Sequence, residues 1–130
     1  MTTFSPKLTT AVTKKIDVEG HNASITIKHI KSGIMASINQ DSMTVESRQG
    51  DGGMQTGITL NMTKKNRAIV TSCVTGWSGF EDDNGRPLKF STANLIKMID
   101  ESNDFVSFVV EAQEKLNTEV EAEEEAEEKN

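Results

Sequence analysis

Cysteine occurs once in this chain of 130 residues, proline and histidine twice each, and tyrosine not at all. A lone Cys73 excludes an internal disulfide framework and any zinc site built from several cysteines. His21 and His29 leave little for a metal cage or for acid–base work. Apolar residues make up 35% of the chain, and nowhere do they run on for the about eighteen positions of a membrane-spanning helix. Met1-Thr2-Thr3-Phe4-Ser5-Pro6 has neither the charged nor the apolar region of a secretory signal. The spacings Gly-x-Ser-x-Gly, His-Glu-x-x-His and Cys-x-x-Cys are missing too. These shortages lead us to expect one soluble, intracellular domain with a modest core, no cofactor and no catalytic or metal site.

What is plentiful is glutamate, and almost all of the charge imbalance is local. Residues 119–130 hold seven glutamates and one lysine, a sum of −6, which is the net charge of the whole chain. Residues 1–118 therefore carry 13 acidic and 13 basic side chains and balance to zero. A nucleic-acid binder needs a basic surface to displace counterions, and none is present. We expect neither a nucleic acid nor a membrane as partner.

Periodicity supplies the elements. Residues 1–13, rich in Thr and Ser, read as a loose arm. Ile16 and Val18 alternate with polar neighbours, as do Ile25 and Ile27, and Gly20-His21-Asn22 lies between them, which predicts an antiparallel hairpin over 14–19 and 24–30. His29 continues that alternation as a partly exposed strand residue. Ser32 is placed to cap a helix bearing Ile34, Met35 and Ile38 and extending to Met43 and Val45. Arg48-Gln49-Gly50-Asp51-Gly52-Gly53 then reads as a flexible connector; it lacks the lysine of a phosphate-binding loop. From Ile58 to about Thr75 the spacing of Ile58, Met62, Ile69, Cys73 and Trp77 is helical, although threonine and β-branched residues weaken it. Cys73 on this stripe reads as a small buried hydrophobe.

Gly76-Trp77-Ser78-Gly79-Phe80 breaks that helix, and Glu81-Asp82-Asp83-Asn84-Gly85 makes an acidic turn. It is no calcium loop: with Gly85 as the sixth position, Phe80 occupies the first. Asn84-Gly85 supplies the left-handed geometry, and Pro87 stiffens the chain after it. Ser91 caps a short helix, with Phe90 before the cap and Leu95 at the fourth helical position, the spacing of a hydrophobic staple. After a break at Glu101-Ser102-Asn103-Asp104, a last helix carries Phe105, Phe108, Val109, Ala112 and Leu116 on one face. That face must pack on the body, and any spare surface on it is our candidate partner-binding site. Beyond Asn117 no apolar stripe continues, so the glutamates form a frayed helix or a disordered tail. The expected fold class is α+β and predominantly α-helical: an N-terminal β-hairpin, about four helices and an acidic tail. Residues 1–118 form a single domain, and 119–130 the tail.

One segment carries more than a fold. A helix ending in Trp77, the acidic Asn84-Gly85 turn, the staple of Pro87-Leu88-Lys89-Phe90-Ser91 and the short helix with Leu95 together resemble the tail assembly chaperones of long-tailed (siphovirus-type) bacteriophages. The resemblance spans about residues 67–116 and is topological before that. It implies a late protein of the host cytoplasm that is absent from the finished virion. Such a protein coats and solubilises the tape measure protein, helps to recruit tail tube subunits, and self-associates. The family also implies a second, longer form made by ribosomal frameshifting. If Glu128-Lys129-Asn130 is encoded GAA-AAA-AAC, the message there contains A-AAA-AAC, on which a ribosome slips back by one nucleotide. Trp77, Phe80 and Phe90 read first as core anchors of the domain. A second class of function is a structural phage component retained in the particle, such as a head–tail connector or tail terminator. A third is an acidic adaptor outside any phage.

Overall fold

A computed structural model describes residues 11–50 and 52–128. The two alternating segments pair as expected: β1 (Thr13–Val18) and β2 (Ala23–Lys28) form an antiparallel hairpin with Ile16 opposite Ile25. After β2 come α1 (Ser32–Asp41), β3 (Met43–Gly50), β4 (Gly53–Leu60), α2 (Met62–Cys73), β5 (Val74–Ser78), α3 (Thr92–Glu101) and α4 (Asn103–Glu128). The class is α+β, with four helices following the N-terminal strands. β5 returns to pair antiparallel with β2, so the main sheet runs β1-β2-β5. β2 is therefore the central strand, and its Ile25 and Ile27 are buried. The proposed N-terminal arm lies almost wholly outside the described residues.

Three expectations about the middle of the chain are corrected. The helix from Ser32 stops at Asp41, and Met43 and Val45 belong to β3. Ser32 does not cap it either: the cap position is Lys31, which makes no side-chain bond there. The glycine-rich connector is the end of a hairpin, in which β3 and β4 pair over their whole length, from Met43 opposite Leu60 to Gly50 opposite Gly53. Period 2 at Met43/Val45 and Ile58/Leu60 outweighs the helical spacing, because β-branched and apolar side chains favour paired, pleated backbone.

The helix expected over 58–75 is shorter at both ends. Asn61 caps α2 by accepting from Lys64 N at 3.0 Å, which leaves Ile58 in β4. At the other end Val74 turns to extended geometry, and Val74–Ser78, including Trp77, joins the sheet beside β2. Trp77 is thus a strand residue. α3 begins as its sequence predicts, with Ser91 Oγ accepting from Asn94 N at 3.1 Å. Ser102 likewise accepts from Phe105 N at 3.1 Å and starts α4.

One core joins the sheet to the helices. Ile25 and Ile27 of β2 meet Ile69, Val70 and Cys73 of α2, Leu95 and Ile99 of α3, and an α4 stripe from Phe105 to Val120. The four-residue step from Leu116 to Val120 extends that stripe past Asn117, where the sequence had shown none. The body's core therefore reaches into the glutamate-rich segment, which is helical as far as Glu128. Its first glutamate, Glu119, forms a 2.9 Å ion pair with Lys14 of β1.

Candidate functional site

The segment from Trp77 to Leu95 closes on itself. Trp77 stacks on Phe80 with ring centroids 4.5 Å apart and planes 4° from parallel. Phe90 and Phe105 meet the indole edge-on at 5.1 and 6.2 Å. Offset-stacked and edge-to-face pairs are the arrangements that aromatic quadrupoles favour. The indole Nε1 donates to Leu88 O at 2.8 Å, which pins the chain after the acidic turn to the indole. Pro87 sits in that return strand, opposite Glu81.

The acidic turn is organised by the carboxylate of Asp82. Asp82 Oδ1 accepts from both Asn84 N and Arg86 N at 2.9 Å, and Asp82 N donates to Arg86 O. A carboxylate that bonds its own following backbone is a turn former. Gly85 alone takes the left-handed conformation, with φ 77°, whereas Asn84 does not. Beyond the turn, Phe90 packs on the core, Ser91 caps α3, and Leu95 is buried. Trp77, Phe80, Asn84, Gly85, Pro87, Phe90, Ser91 and Leu95 thus belong to one local unit.

The α4 face divides differently. Phe105, Val109, Ala112 and Leu116 are buried in the core, and Phe108 is half-buried at its margin. Phe108 lines a groove of about 300 Å³ between β1 and α4, with Ile16 and Ala112. Lys14, Lys15 and Lys115 border the groove, together with Asp17 and Glu111. It is an apolar floor within a rim of mixed charge, in which Lys14 is paired with Glu119.

Behind that face Gln113 is buried at 2% exposure. Its Nε2 donates to Lys28 O at 2.8 Å, and its Oε1 accepts from Ile30 N at 3.3 Å. The side-chain amide takes the place of a neighbouring strand where β2 ends and pairs both Lys28 O and Ile30 N. Cys73 lies in the same interior. Burial pushes its thiol up to about 11, against a smaller downward pull from the Gln113 hydrogen bond. It is an inert core thiol, as its place on the stripe suggested. His29 pairs through Nε2 with Asn117 Oδ1 at 2.8 Å.

The β3–β4 hairpin is the surface that the sequence reading missed. Met43, Val45, Met54, Ile58 and Leu60 are all exposed, and Met54 and Ile58 are 75% and 70% so. Alternation places these five on one side of the ribbon, because Met43 faces Leu60 and Val45 faces Ile58 across the strands. Asp51-Gly52 between two alternating apolar runs was the available signal, since Asp-Gly favours a two-residue hairpin turn.

No helix among the described residues is long and apolar enough to cross a membrane. No group of three or more histidine, cysteine, aspartate or glutamate side chains is placed to hold a metal among them. No curated protein and no solved structure matches the chain. A family model does: the one described as YdaY prophage protein matches residues 27–130, from the end of β2 to the last residue. By that match the chain is phage-derived and belongs to the YdaY prophage protein family.

Proposed function

We propose that this protein is a phage tail assembly chaperone, which binds and solubilises the tape measure protein and helps to bring tail tube subunits to it. The observation that carries the reading is the unit from Trp77 to Leu95. The residues of the resemblance enclose one another around the indole, in a chain of phage origin. The protein acts by binding, without catalysis, nucleic acid or membrane, in the host cytoplasm, and leaves before the virion is complete.

The groove between β1 and α4 suits that work. Ile16 and Phe108 offer an apolar floor to one face of an amphipathic helix, and Lys15 and Lys115 attract acidic residues flanking it. This revises the contact surface to the margin of α4, because Phe105, Val109, Ala112 and Leu116 pack inward. A longer form made by frameshifting at codons 128–130 would add a second contact on the same molecule and raise its effective concentration.

Co-expression with the tape measure protein of the same prophage tests the reading. The chaperone keeps that protein soluble and co-purifies with it, and mass spectrometry of purified virions finds the tape measure but not the chaperone. A tape measure protein that stays insoluble and unbound would overturn the proposal. Stoichiometric recovery of this chain in virions would instead make it a structural head–tail or tail component.

A further inference from the structure

We propose that the apolar side of the β3–β4 hairpin is a self-association surface whose occupant is the same side of a second copy of this chain. The inference stands on the hairpin alone and does not need the tail-assembly reading. Among the described residues β3 and β4 pair only with each other. A two-stranded ribbon in water is marginally stable unless another layer covers it. This one is nevertheless held at a fixed root. Asn61 N donates to Ser42 O at 2.8 Å across the neck, and Ser42 is buried, with its hydroxyl donating to Ile38 O at 2.7 Å. The ribbon is thus a braced arm, exposed on both sides, with its apolar residues gathered on one of them.

Its chemistry selects a like partner. Met43, Val45, Ser47, Gln49, Met54, Ile58 and Leu60 share that side, and none is charged. The charged Glu46 occupies an alternate position, on the opposite side. Two copies can therefore meet face to face with no like charges brought together, although each chain carries a net charge of −6. The two cross-strand pairs, Met43 with Leu60 and Val45 with Ile58, form an apolar quartet at the neck. A twofold axis would set this quartet against its own copy, apolar on apolar, as in the packing of one sheet on another. The five apolar side chains expose roughly 500 Å² per copy, so pairing removes on the order of 1,000 Å² from water, where specific interfaces begin. That is the size of the largest apolar patch on a typical monomer, and such a patch is often a binding surface.

The test is the oligomeric state of the full chain by light scattering over a wide concentration range. Wild type should dimerise or associate further, and V45E/I58E should be monomeric. T44E/T59E, which puts the same charges on the opposite side, should associate as wild type does. Trp77 fluorescence checks that each variant's body is folded. Wild type that is monomeric throughout, V45E/I58E that still associates, or T44E/T59E that falls apart equally would each overturn the proposal. If V45E/I58E does not fold, cysteine labelling decides. Val45→Cys should react with a maleimide at least tenfold more slowly in the associated protein than at high dilution, and Thr44→Cys should not. Equal rates for Val45→Cys at both concentrations would overturn it.

Discussion

Gly79 lies against Asn22, the last residue of the β1–β2 loop, so closely that a methyl group on its Cα would overlap the Asn22 carbonyl oxygen and come within 2.8 Å of Ala23 Cα. Its φ of 78° is also one that side chains with a Cβ adopt at a cost. The contact joins the first hairpin to the start of the Trp77 turn.

Gly79→Ala therefore combines backbone strain with a backbone clash that no rotamer change relieves. We expect a loss of about 2–4 kcal/mol, a drop in Tm of roughly 10 °C or more. Gly85→Ala is the control. Gly85 has a similar φ of 77° but open space where the Cβ would go, so it should lose only about 1 kcal/mol. Thermal melts of the two variants that coincide would refute the close approach at Gly79.

Trp77 contributes both stacking area and a hydrogen bond, and the two can be separated. Trp77→Phe keeps an aromatic ring beside Phe80 but leaves Leu88 O without its donor, a cost of about 1–2 kcal/mol. Trp77→Ala also opens a cavity among Phe80, Phe90 and Phe105, and should lose about 3–5 kcal/mol. Urea titrations followed by circular dichroism measure both. A Trp77→Ala variant as stable as wild type would remove the indole from the core.

The parts legible in the sequence were those where local chemistry and packing agree. Ile16 and Ile25 alternate on either side of a glycine turn, and Phe90, Ser91 and Leu95 announce their helix by cap and staple. The middle of the chain was misread because Met43, Val45 and Ile58 fit a helical stripe as well as a strand. Their pairing is settled by partners across the hairpin, which spacing along one segment does not reveal. Gln113 was missed for a related reason, because it bonds Lys28 O, eighty-five residues away. The Asp82 turn to Asn84 N and Arg86 N is local, and an aspartate ahead of Asn-Gly was its readable signal. The Trp77–Leu95 unit is local in sequence, so its residues stand out together there, although Trp77 itself is in a strand and not at the end of a helix. The exposed ribbon carries no such motif.

Stability should fall between pH 9 and 11 because of Cys73. In the unfolded chain the thiol ionises near 9.0, whereas in the folded protein burial delays this to about 11. Across that window the unfolded state binds fewer protons, so stability is fully present below pH 9 and is lost as pH rises through the folded value. The loss amounts to roughly 2–3 kcal/mol. Cys73→Ala removes this contribution, so the difference in unfolding free energy between wild type and variant should shrink or reverse from pH 8 to pH 11. A difference that stays constant would show that the thiol titrates alike in both states.

Phe108 and Phe105 lie three residues apart on α4, but only the first lines the groove, and this separates binding from folding. Phe105 packs edge-on to Trp77 and Phe80, so Phe105→Ala should cost about 3–5 kcal/mol of stability whatever the protein binds. Phe108→Ala should cost less, about 1–2 kcal/mol, because part of its surface is already in water. If the groove takes an apolar helix of the tape measure protein, the same substitution should weaken that complex at least tenfold, as the loss of a central aromatic anchor does. Lys15→Glu and Lys115→Glu should weaken it mainly through slower association, with a reduced dependence on salt. Titration calorimetry with the folded Phe108→Ala protein decides the point. Wild-type affinity would move the tape measure contact away from this groove, whatever became of the hairpin.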